Sequence, residues 1–255
     1  VHHPLIRKFD LSSIIGCGSG GAPLPLEVIK QFEEITGAIV FEGYGLTETS
    51  PVLTMNPTVP AHRKIGSVGL PIPGTDLRIL DLESGTKTLN RGEDGEIAVF
   101  GPQVMLGYWN NPEADDAVFR NIDGKCFFLT GDIGHQDEKG FLTITDRKKD
   151  LIIVGGFNVY PREIEEILFR HPKVALAAAI GVPHPHTGEA VKAFIQLKPG
   201  TEATEEEFIE FCKEEMAGYK RPHQIEFRES LPVSVVGKVL RKVLREEELS
   251  GKKSS

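Results

Sequence analysis

The sequence holds only three cysteines, Cys17, Cys126 and Cys212, widely spaced and odd in number. That argues against a disulfide framework and against a thiolate zinc site, and reduced thiols in a cytoplasmic protein are the expectation. No apolar run reaches the ~18 residues that a membrane-spanning helix requires. The first residues also lack a charged-then-apolar signal pattern. Basic residues are outnumbered, 29 Lys and Arg against 37 Asp and Glu, which gives a formal charge of -8. A nucleic-acid binder would show a basic face or stripe, so that class is set aside, although an acidic total still allows a local anion pocket. Low-complexity sequence is confined to the polar tail at residues 251–255. The chain opens on Val1 without an initiator Met and reads as a piece of something longer.

What is present falls into three patterns. Residues 12–17 read as a buried strand, 25–36 as a helix with Val28, Ile29, Phe32 and Ile35 on one face and Gly37 as its stop, and 39–41 as the next strand. Strand, helix, strand predicts a parallel α/β layer over 1–64. Short strands punctuated by Gly and Pro follow and predict a small, distorted β-barrel over 65–146. A mobile α+β domain is expected over 147–255. Its predicted elements are strands at 151–154, 174–182, 190–197 and 224–227, and helices at 161–170, from Thr204, and at 240–249. Thr204 and Glu207 suit a capping box, with Phe208, Phe211 and Cys212 inward. The charged run Asp146-Arg147-Lys148-Lys149-Asp150 is read as the boundary, because packed cores rarely cross such a run.

Chemistry concentrates in Glu42-Gly43-Tyr44-Gly45-Leu46-Thr47-Glu48-Thr49, which follows a strand. Its glycines let backbone approach a ligand, Tyr44 can stack on a base, Thr47 can bond a phosphate and Glu48 can ligate Mg²⁺. A strand and tight turn with an incidental acid is the plain alternative. His184-Pro185-His186 reads as a surface loop, having no nearby acids to complete a metal set. Trp109, the only tryptophan, is expected to pack.

The run Tyr44-Gly45-Leu46-Thr47-Glu48 resembles a core motif of the adenylate-forming enzymes, which include acyl-CoA synthetases, peptide-synthetase adenylation domains and luciferases. Further segments are similar to that family's motifs in its order. They are Ser19-Gly20-Gly21-Ala22-Pro23-Leu24, Gly95-Glu96-Ile97 with Val104-Met105-Leu106-Gly107-Tyr108-Trp109, Leu129-Thr130-Gly131-Asp132, the charged run from Asp146, Gly155-Gly156-Phe157-Asn158-Val159-Tyr160-Pro161, and Leu231-Pro232 with Gly237-Lys238 and Arg241. The extended forms look most like long-chain fatty-acid CoA ligases.

The resemblance implies ATP/AMP, Mg²⁺ and coenzyme A as cofactors and a fatty acid as substrate. It implies Lys238, Thr47 and Glu48 as catalytic residues, with Glu48 on the metal. Gly21, Ala22, Glu42, Gly43, Tyr44, Gly45 and Thr47 would line the nucleotide, Asp132 would accept both ribose hydroxyls, and Arg147 would lie beside ribose or phosphate. Lys149 stands at the family's hinge position. Gly155, Gly156 and Phe157 would line the CoA channel, the missing side chains of the two glycines leaving room for the pantetheine arm, and Lys220 would meet the nucleotide end of CoA. An exposed basic turn is the alternative for Lys220.

The family's Ser/Thr/Gly-rich phosphate loop with its lysine is not found here and is expected upstream. The 255-residue chain alone is therefore expected to bind AMP weakly and to form no acyl-adenylate. An aryl or medium-chain acid ligase, and an adenylation module loading a carrier-bound pantetheine, are the other readings. The sequence leaves open acyl chain length, a homodimer, and peripheral contact with the inner membrane face.

Overall fold

The computed structural model describes residues 6–21, 24, 26–234, 237 and 239–251. The chain divides into two compact units, the first ending at Ile144 and the second beginning at Thr145.

The first unit opens with β1 (Gly16–Ser19), α1 (Leu26–Thr36) and β2 (Ile39–Gly45), and β1 and β2 pair in parallel from Gly16 opposite Ile39 to Ser19 opposite Glu42. The strand therefore lies four residues beyond the start of the apolar run at 12–17, and Ile15 of that run is exposed. Close packing decides the position: the Phe41 ring lies over Gly16 and Gly18, where an added Cβ would come within 3.3 Å of it. Helix α1 ends where Gly37 takes the left-handed conformation, φ +70°, as glycine does at helix ends. Strands β3 (Val52–Met55) and β4 (Leu70–Pro71) extend the sheet antiparallel, so the layer is mixed, in the order β1-β2-β3-β4.

Next come β5 (Asp76–Leu80), β6 (Gly95–Phe100), α2 (Pro112–Val118), β7 (Phe119–Ile122), β8 (Lys125–Gln136) and β9 (Leu142–Arg147). They form an antiparallel sheet ordered β5-β6-β8-β7, with β9 on β8. Asn111 caps α2 by accepting from Ala114 N at 3.2 Å, and Pro112 fills the first turn, where its missing N–H costs nothing. Leu53 from the first sheet packs with Ile79, Ile97, Val99, Phe128 and Leu142 of the second, forming the core beneath the site residues.

The second unit comprises β10 (Ile152–Val154), β11 (Phe157–Val159), α3 (Pro161–Arg170), β12 (Val174–His184), β13 (Gly188–Leu197), α4 (Glu205–Glu215), β14 (Gln224–Phe227) and α5 (Arg241–Ser250). Its sheet runs β11-β10-β13-β12, with β14 parallel to β13. Ile164 and Leu168 of α3 and Phe208 and Cys212 of α4 pack with Val191, Ala193 and Ile195. Leu244 of α5 packs in a separate cluster with Ala178, Ile180, Phe194 and Leu231. Alternate β13 residues thus feed two cores, as period-2 side-chain direction requires. Thr204 accepts from Glu207 N at 3.3 Å, which caps α4 as the sequence predicts.

Burial of Cys212 pushes its thiol up to about 11, whereas Cys126 is exposed. At pH 8 the native protein should therefore react with a disulfide reagent at Cys126 and leave Cys212 unmodified until denaturant is added. Peptide mapping of the labelled protein reads the outcome.

Candidate active site

Two irregularities in the sheets of the first unit bring its central pair together. Between β6 and β8 the register steps from Ala98 opposite Leu129 to Glu96 opposite Ile133, so Ile97 alone faces Thr130, Gly131 and Asp132. Gly131 takes φ +72° in this bulge. Thr130 Oγ1 donates to Ile97 O at 2.9 Å and accepts from Asp132 N at 3.2 Å, which fixes the excursion. Between β2 and β3 a second bulge lies at Tyr44 and Gly45. From it the Tyr44 hydroxyl donates to Asp132 Oδ2 at 2.6 Å. Asp132 is only 6% exposed, so this bond forms where water competes little, and a carboxylate acceptor makes it one of the stronger kind.

Gly45 has a further reason for its identity. A Cβ there would stand 1.7 Å from Pro51 O, which identifies close backbone packing as the constraint on this motif glycine. Thr49 holds the following turn: its hydroxyl accepts from Leu46 N at 3.0 Å and lies 2.7 Å from Pro51 O. Thr47 is exposed within that turn.

Glu48 is gripped from the segment between β6 and α2. Met105 N donates to its carbonyl at 2.8 Å, and Tyr108 Oη donates to Oε1 at 3.0 Å. Burial, reinforced by the Glu48 carboxylate, holds the Tyr108 phenol above its ordinary value. The segment is itself anchored by Asp115, whose Oδ1 accepts from Tyr108 N at 2.8 Å. Glu48 Oε2 has no hydrogen-bond partner among the described residues. No group of three or more His, Cys, Asp or Glu among the described residues is arranged to hold a metal ion. A single carboxylate of this kind suits Mg²⁺, which takes few protein ligands and completes its shell with water and phosphate oxygens.

At the same end of β2, Gly20 stands close to Gly43, where an added Cβ would lie 3.3 Å from Gly43 O, and Gly21 takes φ +80°. Glu42 O accepts from Asn56 N at 2.9 Å. Ala22 lies outside the described residues.

In the second unit Gly155 and Gly156 form the two-residue turn between β10 and β11, with φ +58° and +86°. Two left-handed residues in a two-residue hairpin favour glycine for backbone reasons alone. An added Cβ on Gly156 would meet open space. The ring of Phe157, next in sequence, stacks on Tyr219 with centroids 4.8 Å apart, so this hairpin and the turn carrying Lys220 come together. Lys220 Nζ reaches both oxygens of Glu163, at 2.7 and 2.8 Å. Arg147 and Lys149 are exposed. Lys238 lies outside the described residues.

Within the boundary run, Asp146 and Asp150 are buried. Trp109 departs from expectation: it does not pack and is 91% exposed. Sequence reasoning missed the roles of Tyr108 and Asp115 because their partners lie 60 and 7 residues away in the chain. An aromatic set between glycine and an asparagine-proline helix start was the one available signal.

Residues 1–109 match the family model described as AMP-binding enzyme, and residues 163–238 match that described as AMP-binding enzyme C-terminal domain. The chain is 50% identical over 248 residues to a long-chain-fatty-acid–CoA ligase of Bacillus subtilis (strain 168), covering 97% of this chain and 43% of the relative. It is 40% identical over 243 residues to a feruloyl-CoA synthase of an Amycolatopsis species, covering 95% of this chain and 48% of that protein. Among solved structures, ATP-bound MatB from Rhodopseudomonas palustris aligns with a TM-score of 0.83 at 41% identity, over 91% of this chain and 45% of that one. The chain thus spans less than half the length of each of these relatives. Two models of one family, lying in chain order over most of the sequence, establish that the chain belongs to the AMP-binding enzymes.

Proposed function

We propose that this chain is the C-terminal part of an ATP-dependent fatty-acid CoA ligase. One observation carries the reading: the Tyr44 hydroxyl meets the buried Asp132 carboxylate at 2.6 Å, bringing two distant motifs to one point only four residues from Glu48. In the first half-reaction a carboxylate oxygen of the fatty acid attacks the α-phosphorus of ATP. The bond to the bridging oxygen breaks, and pyrophosphate leaves. Glu48 would hold Mg²⁺, which would neutralise the charge that gathers on the phosphates. Asp132 takes the ribose hydroxyls, Thr47 donates to a phosphate oxygen, and Lys238 contributes a positioned cation. Glu42, Gly43, Tyr44 and Gly45, with Gly21 and Ala22, line the nucleotide, and Arg147 stands beside ribose or phosphate.

In the second half-reaction the CoA sulfur attacks the acyl carbonyl, the carbonyl-to-phosphate C–O bond breaks, and AMP departs. Rotation at Lys149 exchanges Lys238 for the Gly155-Gly156 hairpin and Phe157. Lys220 then serves a CoA phosphate, which must replace Glu163 in the pair it now makes.

The whole protein should release pyrophosphate from ATP and Mg²⁺ only when palmitate is present, and should form palmitoyl-CoA when CoA is added. An aryl-acid ligase is the second reading, favoured by the 40% identity to a feruloyl-CoA synthase. Feruloyl-CoA formed in preference to palmitoyl-CoA would select it. Failure of both acids to release pyrophosphate would remove the ligase reading.

A further inference from the structure

The second unit contains a buried ion cluster that the proposed chemistry does not use. Arg241, the first residue of α5, has a side chain only 11% exposed and meets three carboxylates. Nε and Nη2 form a two-point pair with Glu165, at 2.7 and 2.5 Å. Nη1 reaches Asp146 Oδ1 at 3.0 Å and Asp150 Oδ2 at 3.3 Å. Arg245 adds a second bond to Asp150, at 3.1 Å from Oδ1. Asp146 also accepts from Arg162 N at 2.7 Å, and Glu165 from Ala179 N at 3.0 Å. Each carboxylate is therefore compensated on more than one side, as burial demands.

The placement matters because Asp146 and Asp150 stand on opposite sides of Lys149. One nitrogen of Arg241 bonds both of them. A large backbone change at Lys149 moves one aspartate relative to the other, and a single Nη1 holds both only while each stays near hydrogen-bond distance. Arg241 is also the residue on which a pinned turn ends. Val233 bridges Val239, Gly237 N donates to Ser234 O at 2.8 Å, and Leu240 N donates to Pro232 O at 2.8 Å. By sequence, Lys238 falls three residues before Arg241.

We propose that Arg241 is a positioning residue for the Lys238 turn. It clasps the two hinge aspartates to the root of that turn, so the placement of the turn follows the state of the hinge. The proposal rests on the ligase reading above. A purely structural role would lower both half-reactions in step with the folded fraction. A clasp affects chiefly the one that uses Lys238.

Two variants of the whole enzyme test this. Arg241→Lys keeps a charge and loses the fork. Asp150→Asn leaves Arg241 its bonds to Glu165 and Asp146. Pyrophosphate release in a single turnover and thioester formation from supplied acyl-adenylate are measured separately, beside thermal unfolding. Misplacement of a reacting group by about 1 Å can cost ~10²-fold. Adenylate formation should accordingly fall about 10²-fold in Arg241→Lys and about 10-fold in Asp150→Asn, with thioester formation little changed. If Arg241→Lys does not fold, Asp150→Asn decides alone. Equal losses in both half-reactions, or no loss in either, overturn the proposal while leaving the ligase reading intact. A wild-type enzyme that forms no acyl-adenylate overturns the ligase reading first, and this inference with it.

Discussion

In the whole enzyme, Asp132→Ala is expected to lower kcat/KM for ATP by about 10²- to 10⁴-fold. The figure follows from the proposed role of Asp132, two hydrogen bonds between ribose hydroxyls and its carboxylate, each worth about 1.5–3 kcal/mol, at roughly 1.4 kcal/mol per factor of ten. The same substitution removes the acceptor of the Tyr44 hydroxyl, and that loss has to be separated from the loss of ligand contacts. Tyr44→Phe provides the separation, because it breaks the internal bond and leaves the carboxylate in place. It should cost about one factor of ten, matching a single hydrogen bond. Steady-state kinetics against ATP, with thermal unfolding alongside, reads both. Equal losses from Asp132→Ala and Tyr44→Phe would identify Asp132 as no more than the partner of Tyr44.

Gly45→Ala should lower stability by about 3 kcal/mol or more, at the upper end of what overpacking costs. The added methyl would lie 1.7 Å from Pro51 O, 2.6 Å from Pro51 C and 2.9 Å from Val52 Cα, all of them backbone atoms. No rotamer change can relieve such an overlap, so β2 and β3 must part. Gly21→Ala serves as the control: its φ is +80° but nothing lies within 4 Å of the new atom. Only the left-handed conformation is then penalised, by about 1–2 kcal/mol. Chemical denaturation followed by circular dichroism compares the two. A Gly45→Ala protein as stable as the control would show that the β2–β3 junction yields easily, and that ligand approach sets this glycine.

Helices were the legible part of the fold, because their signals are local. The periodic face of α1, the proline opening α3 and the Thr204 cap of α4 all lie within a few residues of what they specify. Strand β1 was read too early because apolar character alone marked 12–17, whereas pairing with Ile39 and packing under Phe41 select Gly16–Ser19. Asp132 could be singled out by its motif, but not the means of its presentation. A bulge that sets three residues opposite Ile97 depends on a strand about 35 positions earlier, and no period in β8 announces it. The charged run at 146–150 was legible as a boundary but not in its packing. Two of its residues are buried because Arg241 and Arg245, almost 100 positions later, supply the counter-charge. Composition of a segment shows its cost of burial and is silent on a distant partner.

The exposure of Trp109 has a practical side. As the sole indole of the 255-residue chain, it is the one source of long-wavelength fluorescence, and its neighbour Tyr108 is bonded to Glu48. An emission spectrum of this 255-residue chain consequently reports on one address, next to the carboxylate assigned to the metal, and makes an optical titration of that corner feasible without any attached dye.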